Sequence, residues 1–369
     1  MRKNPCTMVD GFHVLRRAVS CQLMTSLLLA AALHVSASAQ TDSSRIRFGA
    51  AVPADVDLIY TRGLTWLASN QKPEGEWNSD SAGEGGPGES GITGMCVMAF
   101  LASGEDPNSG PYSKQIRAAV RSIIRSQNPE TGFIPGSMYH HGFAMLGLSE
   151  VYGALDESTL WAGESDTEKQ RSIAKSLELA VQCAVVAQQN NPYGAWRYSP
   201  AATDADTSVA GAIMMGLLAA RNAGIRIPDE AINKGIDYFR TMTSGRGDVG
   251  YSGVPSGGSA NLPAIAGIVY AVGKRSELRE YSAVRSRNVQ NLDHQEQAYP
   301  EYFRYYMAQA LFQGDFEAWT KWNQRTIRTL KEQQNADGSF SSGHGQAYGT
   351  AMSLLALALN YRFLPIYER

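Results

Sequence analysis

The sequence predicts an all-α protein, an α/α toroid of six helix pairs arranged as two concentric helical barrels. Three observations predict it. A short phrase recurs at a period of roughly 50–60 residues, the mark of a repeat architecture. Helical segments alternate between a charged, amphipathic kind and a nearly uncharged kind rich in Gly and Ala. Short β-branched runs between turn pairs, the strand signal, are missing.

The chain has 369 residues, 43% hydrophobic and 18% charged, which is ordinary globular composition. Residues 1–39 read as a secretory signal peptide. Arg2, Lys3, Arg16 and Arg17 precede an apolar run, and Ala37-Ser38-Ala39 forms a cleavage site before Gln40. Residues 40–54 form a short lead and 55–369 the toroid. Removing the leader's four basic residues and one acidic residue from 33 Lys+Arg and 35 Asp+Glu leaves a net charge of −5. No nucleic-acid footprint is present. No later run is long and apolar enough for a membrane span. Export to the periplasm or beyond is the expectation. Cys96 and Cys183 sit in different helices and read as buried free thiols.

The charged helices come first in each pair. Segment 55–71 opens the series. Ile116, Val120, Ile123 and Ile124 then follow at i, i+4, i+7, i+8, and Ile173, Leu177, Ala180 and Val181 repeat that spacing behind a capping box at Ser165-Asp-Thr-Glu168. Ile232, Ile236 and Phe239 follow Pro228, which suits the first helical position. Segment 276–292 is a weaker member and 316–334 the last. The uncharged helices are 91–103, 141–153, 208–224, 262–273, 302–313 and 347–363. A helix apolar on most faces must be buried on most faces. Two concentric barrels bury all six, and a closed ring needs no polar capping repeats.

The phrase reads Gln71-Lys-Pro-Glu-Gly75-Glu-Trp77, Gln127-Asn-Pro-Glu-Thr-Gly132-Phe133, Gln189-Asn-Asn-Pro-Tyr-Gly194-Ala-Trp196 and Gln334-Asn-Ala-Asp-Gly338-Ser-Phe340. A degenerate copy is Asp248-Val-Gly250-Tyr251. Each copy belongs in the turn between an outer helix and the next inner one. Its Gln suits backbone groups freed at a helix end, and its aromatic ring covers them from water. These phrases are expected to staple the fold.

At these residues the chain resembles the terpenoid cyclase and protein prenyltransferase toroids, with phrases like the QW repeats of squalene and hopene cyclases. It is similar more narrowly to secreted bacterial prenyltransferase/squalene oxidase repeat proteins through Met138-Tyr-His-His-Gly142, Gly194-Ala-Trp-Arg-Tyr198 with Asp206-Thr-Ser-Val209, and Tyr361-Arg-Phe-Leu-Pro-Ile-Tyr367. The resemblance implies the toroid fold and no settled activity. Cyclases of this type protonate an alkene with an Asp-x-Asp-Asp-Thr-Ala motif. Here Thr203-Asp204-Ala205-Asp206-Thr207-Ser208 keeps the last carboxylate, and Ala205 replaces the proton donor. Squalene cyclisation is therefore not expected. Neither a zinc set of Asp, Cys and His nor an Asp-Asp-x-x-Asp motif is found, so no metal and no cofactor are expected.

The candidate site residues lie near the starts of inner helices. Asp206 and His141 are the candidate acid and base. His140, Arg197, Tyr198, Tyr302, Arg304, Tyr305, Tyr306, His344 and Tyr348, with Tyr139, are candidate ligand contacts. Ring closure is expected to gather His141, Asp206, Arg304 and Tyr305 at one mouth. The function expected is ligand binding in the central cavity, with catalysis open. The alternatives are an isoprenoid cyclase or transferase, a glycan lyase or hydrolase, and a non-catalytic interaction module.

Overall fold

The computed structural model describes residues 52–79, 89–165 and 170–367. The expected signal peptide and nearly all of the lead lie outside them. Helices occupy Ala54–Ser69 (α1), Ser90–Ala102 (α2), Ser113–Ser126 (α3), Met138–Val151 (α4), Glu157–Leu160 (α5), Ile173–Asn190 (α6), Thr207–Asn222 (α7), Asp229–Thr241 (α8), Asn261–Val272 (α9), Arg279–Gln290 (α10), Pro300–Gly314 (α11), Phe316–Gln333 (α12) and Gln346–Leu357 (α13). The four-residue α5 is an extra turn between α4 and α6. No strand occurs among the described residues, only an isolated bridge between Thr243 and Val249.

The inner ring runs α2–α4–α7–α9–α11–α13 and closes as α13 packs on α2. The outer helices α1, α3, α6, α8, α10 and α12 lie over it, and α12 packs on α1. The expected six pairs are all present. Every residue of α2 is buried, as its uncharged sequence requires. Small residues bring inner backbones together. At Gly142 of α4, a Cβ would collide with the Ala212 backbone of α7.

The phrase joins consecutive outer helices. Gln71 Nε2 donates to the Gly75 carbonyl of its own turn at 2.8 Å and to Gln115 O on α3 at 2.9 Å. Gln127 does the same with Gly132 O and Ser176 O on α6. Gln334 reaches Gly338 O and Ile59 O on α1, which closes the outer ring. In the third copy the donor is Gln188, to Gly194 O and Ala231 O, and not the expected Gln189. Gln188 is 1% exposed whereas Gln189 faces solvent. Trp77 and Trp196 each donate an indole N–H to a carbonyl four residues before that Gln, Leu67 O and Ala184 O.

Three further details of the molecule differ from expectation. In the second copy the buried side chain is Ile134, two residues after the Gly, and Phe133 lies half-exposed. In the degenerate copy the turn glycine is Gly247, at φ +81°, where a Cβ would strike the Ala283 carbonyl. The cap of α6 is Ser172, whose side chain accepts from Lys175 N, in place of the expected capping box at 165–168, most of which lies outside the described residues.

The axis of the ring is filled. Helices α4 and α11 stand opposite one another in the ring order, yet their rings meet. Tyr139 and Tyr302 have centroids 6.0 Å apart, and so do Phe143 and Tyr305 one turn deeper. At the other end the chain's last segment crosses the barrel. Pro365–Tyr367 packs on α7, opposite α13, and Ile366 N donates to Glu150 Oε2 of α4 at 3.4 Å. Burial pushes the Glu150 carboxyl up to about 8. Cys96 and Cys183 are buried and free.

Candidate functional site

The starts of the inner helices share one face, because each follows an outer helix, in five of the six repeats through the same kind of turn. Adjacent repeats are joined there by main-chain bonds. Met138 N at the start of α4 donates to Tyr198 O at 2.8 Å, and Thr207 N at the start of α7 donates to Tyr251 O at 2.9 Å. Tyr198 and Tyr251 are equivalent residues, each four after its turn glycine, Gly194 or Gly247. This register places both phenols side by side.

Asp206 anchors the cluster around them. It is the N-cap of α7, its Oδ1 accepting from Val209 N at 2.9 Å. Its side chain is wholly buried, and its Oδ2 lies 3.6 Å from Arg197 Nε without a hydrogen bond. Burial raises its carboxyl pKa, opposed by the Val209 N–H and by Arg197. Arg197 binds Asp204 Oδ2 at 3.1 Å and faces the rings of Tyr198 and Tyr251, at 5.8 and 5.7 Å from their centroids. The two phenol oxygens are 3.2 Å apart. Tyr198 is 49% and Tyr251 38% exposed, so the pair forms an outward aromatic platform fixed by a guanidinium.

The other expected residues are elsewhere. His141 is fully buried, and both ring nitrogens are engaged. Nδ1 accepts from Ile134 N at 3.0 Å and Nε2 donates to Ala180 O at 3.0 Å. The acceptance fixes the donor at Nε2. Burial pulls its pKa down to about 4. It does for Ile134 what Thr93 does for Trp77 N and Thr350 for Phe340 N. His140 packs over Gly91 of α2, and burial lowers its pKa as well.

Tyr302, Tyr305, Tyr306 and Tyr348 are buried, in contrast to an open ligand-lined wall. Tyr306 lies 4.8 Å from both Tyr302 and Tyr305. Burial raises the phenol pKa of Tyr139, Tyr302, Tyr306 and Tyr348. His344 is exposed and stacks on Tyr299 at 5.8 Å, beside Tyr348. Arg304 points away from the axis, into a cavity between the barrels. His141, Asp206, Arg304 and Tyr305 thus serve four different surroundings rather than one pocket.

Sequence reasoning missed Tyr251, Asp204 as a partner of Arg197, and Tyr299. Counting from Gly247 instead of Gly250 would have put Tyr251 in register with Tyr198. Among the described residues, no helix is long and apolar enough to cross a membrane.

No family model and no curated protein matches the chain. Its fold is shared with solved α/α toroids. An inactive variant of an α-1,6-mannanase from Salegentibacter sp., in complex with α-1,6-mannotriose, superposes with a TM-score of 0.57 at 7% identity, covering 84% of this chain and 99% of that one. A point variant of the type II terpene cyclase MstE from Scytonema, in complex with its product merosterolic acid A, gives 0.56 at 15% identity, covering 84% and 98%. The unmodified cyclase in its apo form gives 0.54 at 15%, covering 84% and 99%. At these identities the likeness establishes the α/α toroid fold, shared by glycan hydrolases and terpene cyclases alike.

Proposed function

We propose that this is an exported toroid that binds a glycan on the rim of its inner barrel, across Tyr198 and Tyr251, and that it does not cyclise isoprenoids. The observation that carries this reading is the exposed tyrosine pair held by Arg197. An exposed aromatic surface held in place covers the apolar face of a sugar ring at little entropic cost. Arg197 and the exposed Asp204 supply a donor and an acceptor for sugar hydroxyls beside it. Asp206 acts here as a positioning residue: its buried carboxylate caps α7 and fixes Arg197. Tyr299 and His344 extend the aromatic surface along the same face.

The filled axis weighs against a cyclase. A polyprene must fold inside a dry chamber next to a strong acid. Here the opposing rings of α4 and α11 take up the axial space, and Ala205 stands in place of the proton donor.

Two probes taken from the toroids of like fold separate the readings. Titration with α-1,6-mannotriose and a panel of related oligosaccharides is expected to give saturable binding. Tyr198→Ala and Tyr251→Ala should each weaken it about tenfold with unchanged folding. Incubation with geranylgeranyl dihydroxybenzoate should return it unchanged. Cyclised product, or glycan binding indifferent to both tyrosines, would refute the proposal.

A further inference from the structure

The fifth repeat departs from the others. Between α10 and α11 the chain reads Asn291-Leu-Asp-His-Gln-Glu-Gln-Ala-Tyr299, with no glycine. No residue of this loop takes the buried position that Trp77, Ile134, Trp196, Val249 and Phe340 fill in the other repeats. The wedge left open is a cavity of about 590 Å³ between this loop, α11, α12 and α13. That is the size of a small-molecule site.

The polar groups facing it are incomplete. Arg304 of α11 has a buried Nε without a partner, and makes no hydrogen bond or ion pair to any described residue. Glu301, one turn earlier, is buried, acts on Arg304 through space, and forms no ion pair with it. Across the cavity, Ser353 of α13 is fully buried, and its Oγ has no partner. Trp322 and Thr326 of α12 complete the wall. A guanidinium does not shed its proton at any ordinary pH, so its charge persists in this enclosure. The other basic groups lining the cavity differ from it. Arg325 is already bound to Asp293 and to Leu292 O, and His294 lies against Glu296.

We propose that this off-axis cavity binds a small hydroxylated anion, a sugar acid or sugar phosphate. Arg304 takes the carboxylate or phosphate through its fork of donors. Ser353 bonds the same group, and Glu301 accepts from a ligand hydroxyl. The site is separate from the rim platform and does not depend on it.

Thermal unfolding of the mature chain would be followed against D-glucuronate, glucose 6-phosphate, glucose, and sodium chloride at matched ionic strength. The midpoint should rise saturably with at least one of the two anions, and which one responds identifies the acid group. Glucose and salt should not reproduce the rise. Arg304→Met should fold and weaken the apparent affinity at least ~tenfold. Lys321→Met, an exposed cation on α12, should leave it unchanged. Ser353→Ala removes a hydroxyl that has no partner, so it should fold and weaken binding several-fold; it decides the matter if Arg304→Met does not fold. Silence toward both anions, equal effect of salt, or a response undiminished in every folded variant of Arg304 and Ser353 would overturn the proposal.

Discussion

Two adjacent glutamines show how much a single residue carries. Gln188 is buried and binds two main-chain carbonyls, whereas Gln189 is exposed one residue later. Gln188→Ala leaves both carbonyls without a donor and should cost ~2–4 kcal/mol, against less than ~0.5 for Gln189→Ala. Denaturant unfolding of the two variants checks this. Glu150 offers a second test. Burial lifts its pKa from an ordinary 4.5 to about 8, so the folded chain holds a proton that the unfolded chain releases. Its penalty is absent below the unfolded value, grows as pH rises from there, and is complete above the folded value. Glu150→Gln should therefore leave stability unchanged near pH 4 and raise it by up to ~3 kcal/mol at pH 7. His141 works in the opposite sense. With its pKa depressed to about 4, its contribution is full above pH ~6.5 and is lost as pH falls toward 4. Melting midpoints of wild type and Glu150→Gln across pH 4–8 would show a widening gap; a constant gap would contradict the assignment.

At the scale of elements, the helix pairs were legible because burial writes itself into composition. Six uncharged segments had to be inner helices, and they are. The turns were legible as a repeat but not in register. The Gln-to-Gly spacing is four, five and four residues in the first, second and last full copies, and in the third it is six from Gln188 or five from Gln189, so the sequence permits either Gln, and Gly247 or Gly250. Geometry decides, because only a glycine at positive φ pressed against the next outer helix fits. Gly247→Ala puts a Cβ into the Ala283 carbonyl and should cost ~2–4 kcal/mol. Gly253→Ala, also at positive φ but in open space, should cost only about 1 kcal/mol. Equal losses in thermal melts would return the turn glycine to an open question of register. The structural task of His141 was hidden in the sequence for a related reason. Its task, accepting the N–H that a threonine accepts in other repeats, shows only once the repeats are superposed.

For the whole molecule, the ring and its closure followed from the sequence, while its filled interior did not. Composition tells that a helix is buried, not which of its faces looks inward or how wide the ring stands. Tyr302, Tyr305 and Tyr306 read equally well as the wall of a chamber or as its filling. The close approach of α4 to α7 at Gly142 helps to narrow the ring, and rings from α4 and α11 then meet across it. With the axis closed, the proposed recognition surfaces are the rim, where Tyr198 and Tyr251 are exposed, and the wedge that the fifth repeat leaves open. The most direct test of this account is a double-mutant cycle between Phe143 and Tyr305, each replaced by Leu, with stability read from denaturant unfolding. Contact across the axis predicts a coupling energy of about 0.5–1.5 kcal/mol. A coupling indistinguishable from zero, with both single variants folded, would mean that the axis is open and would contradict the account.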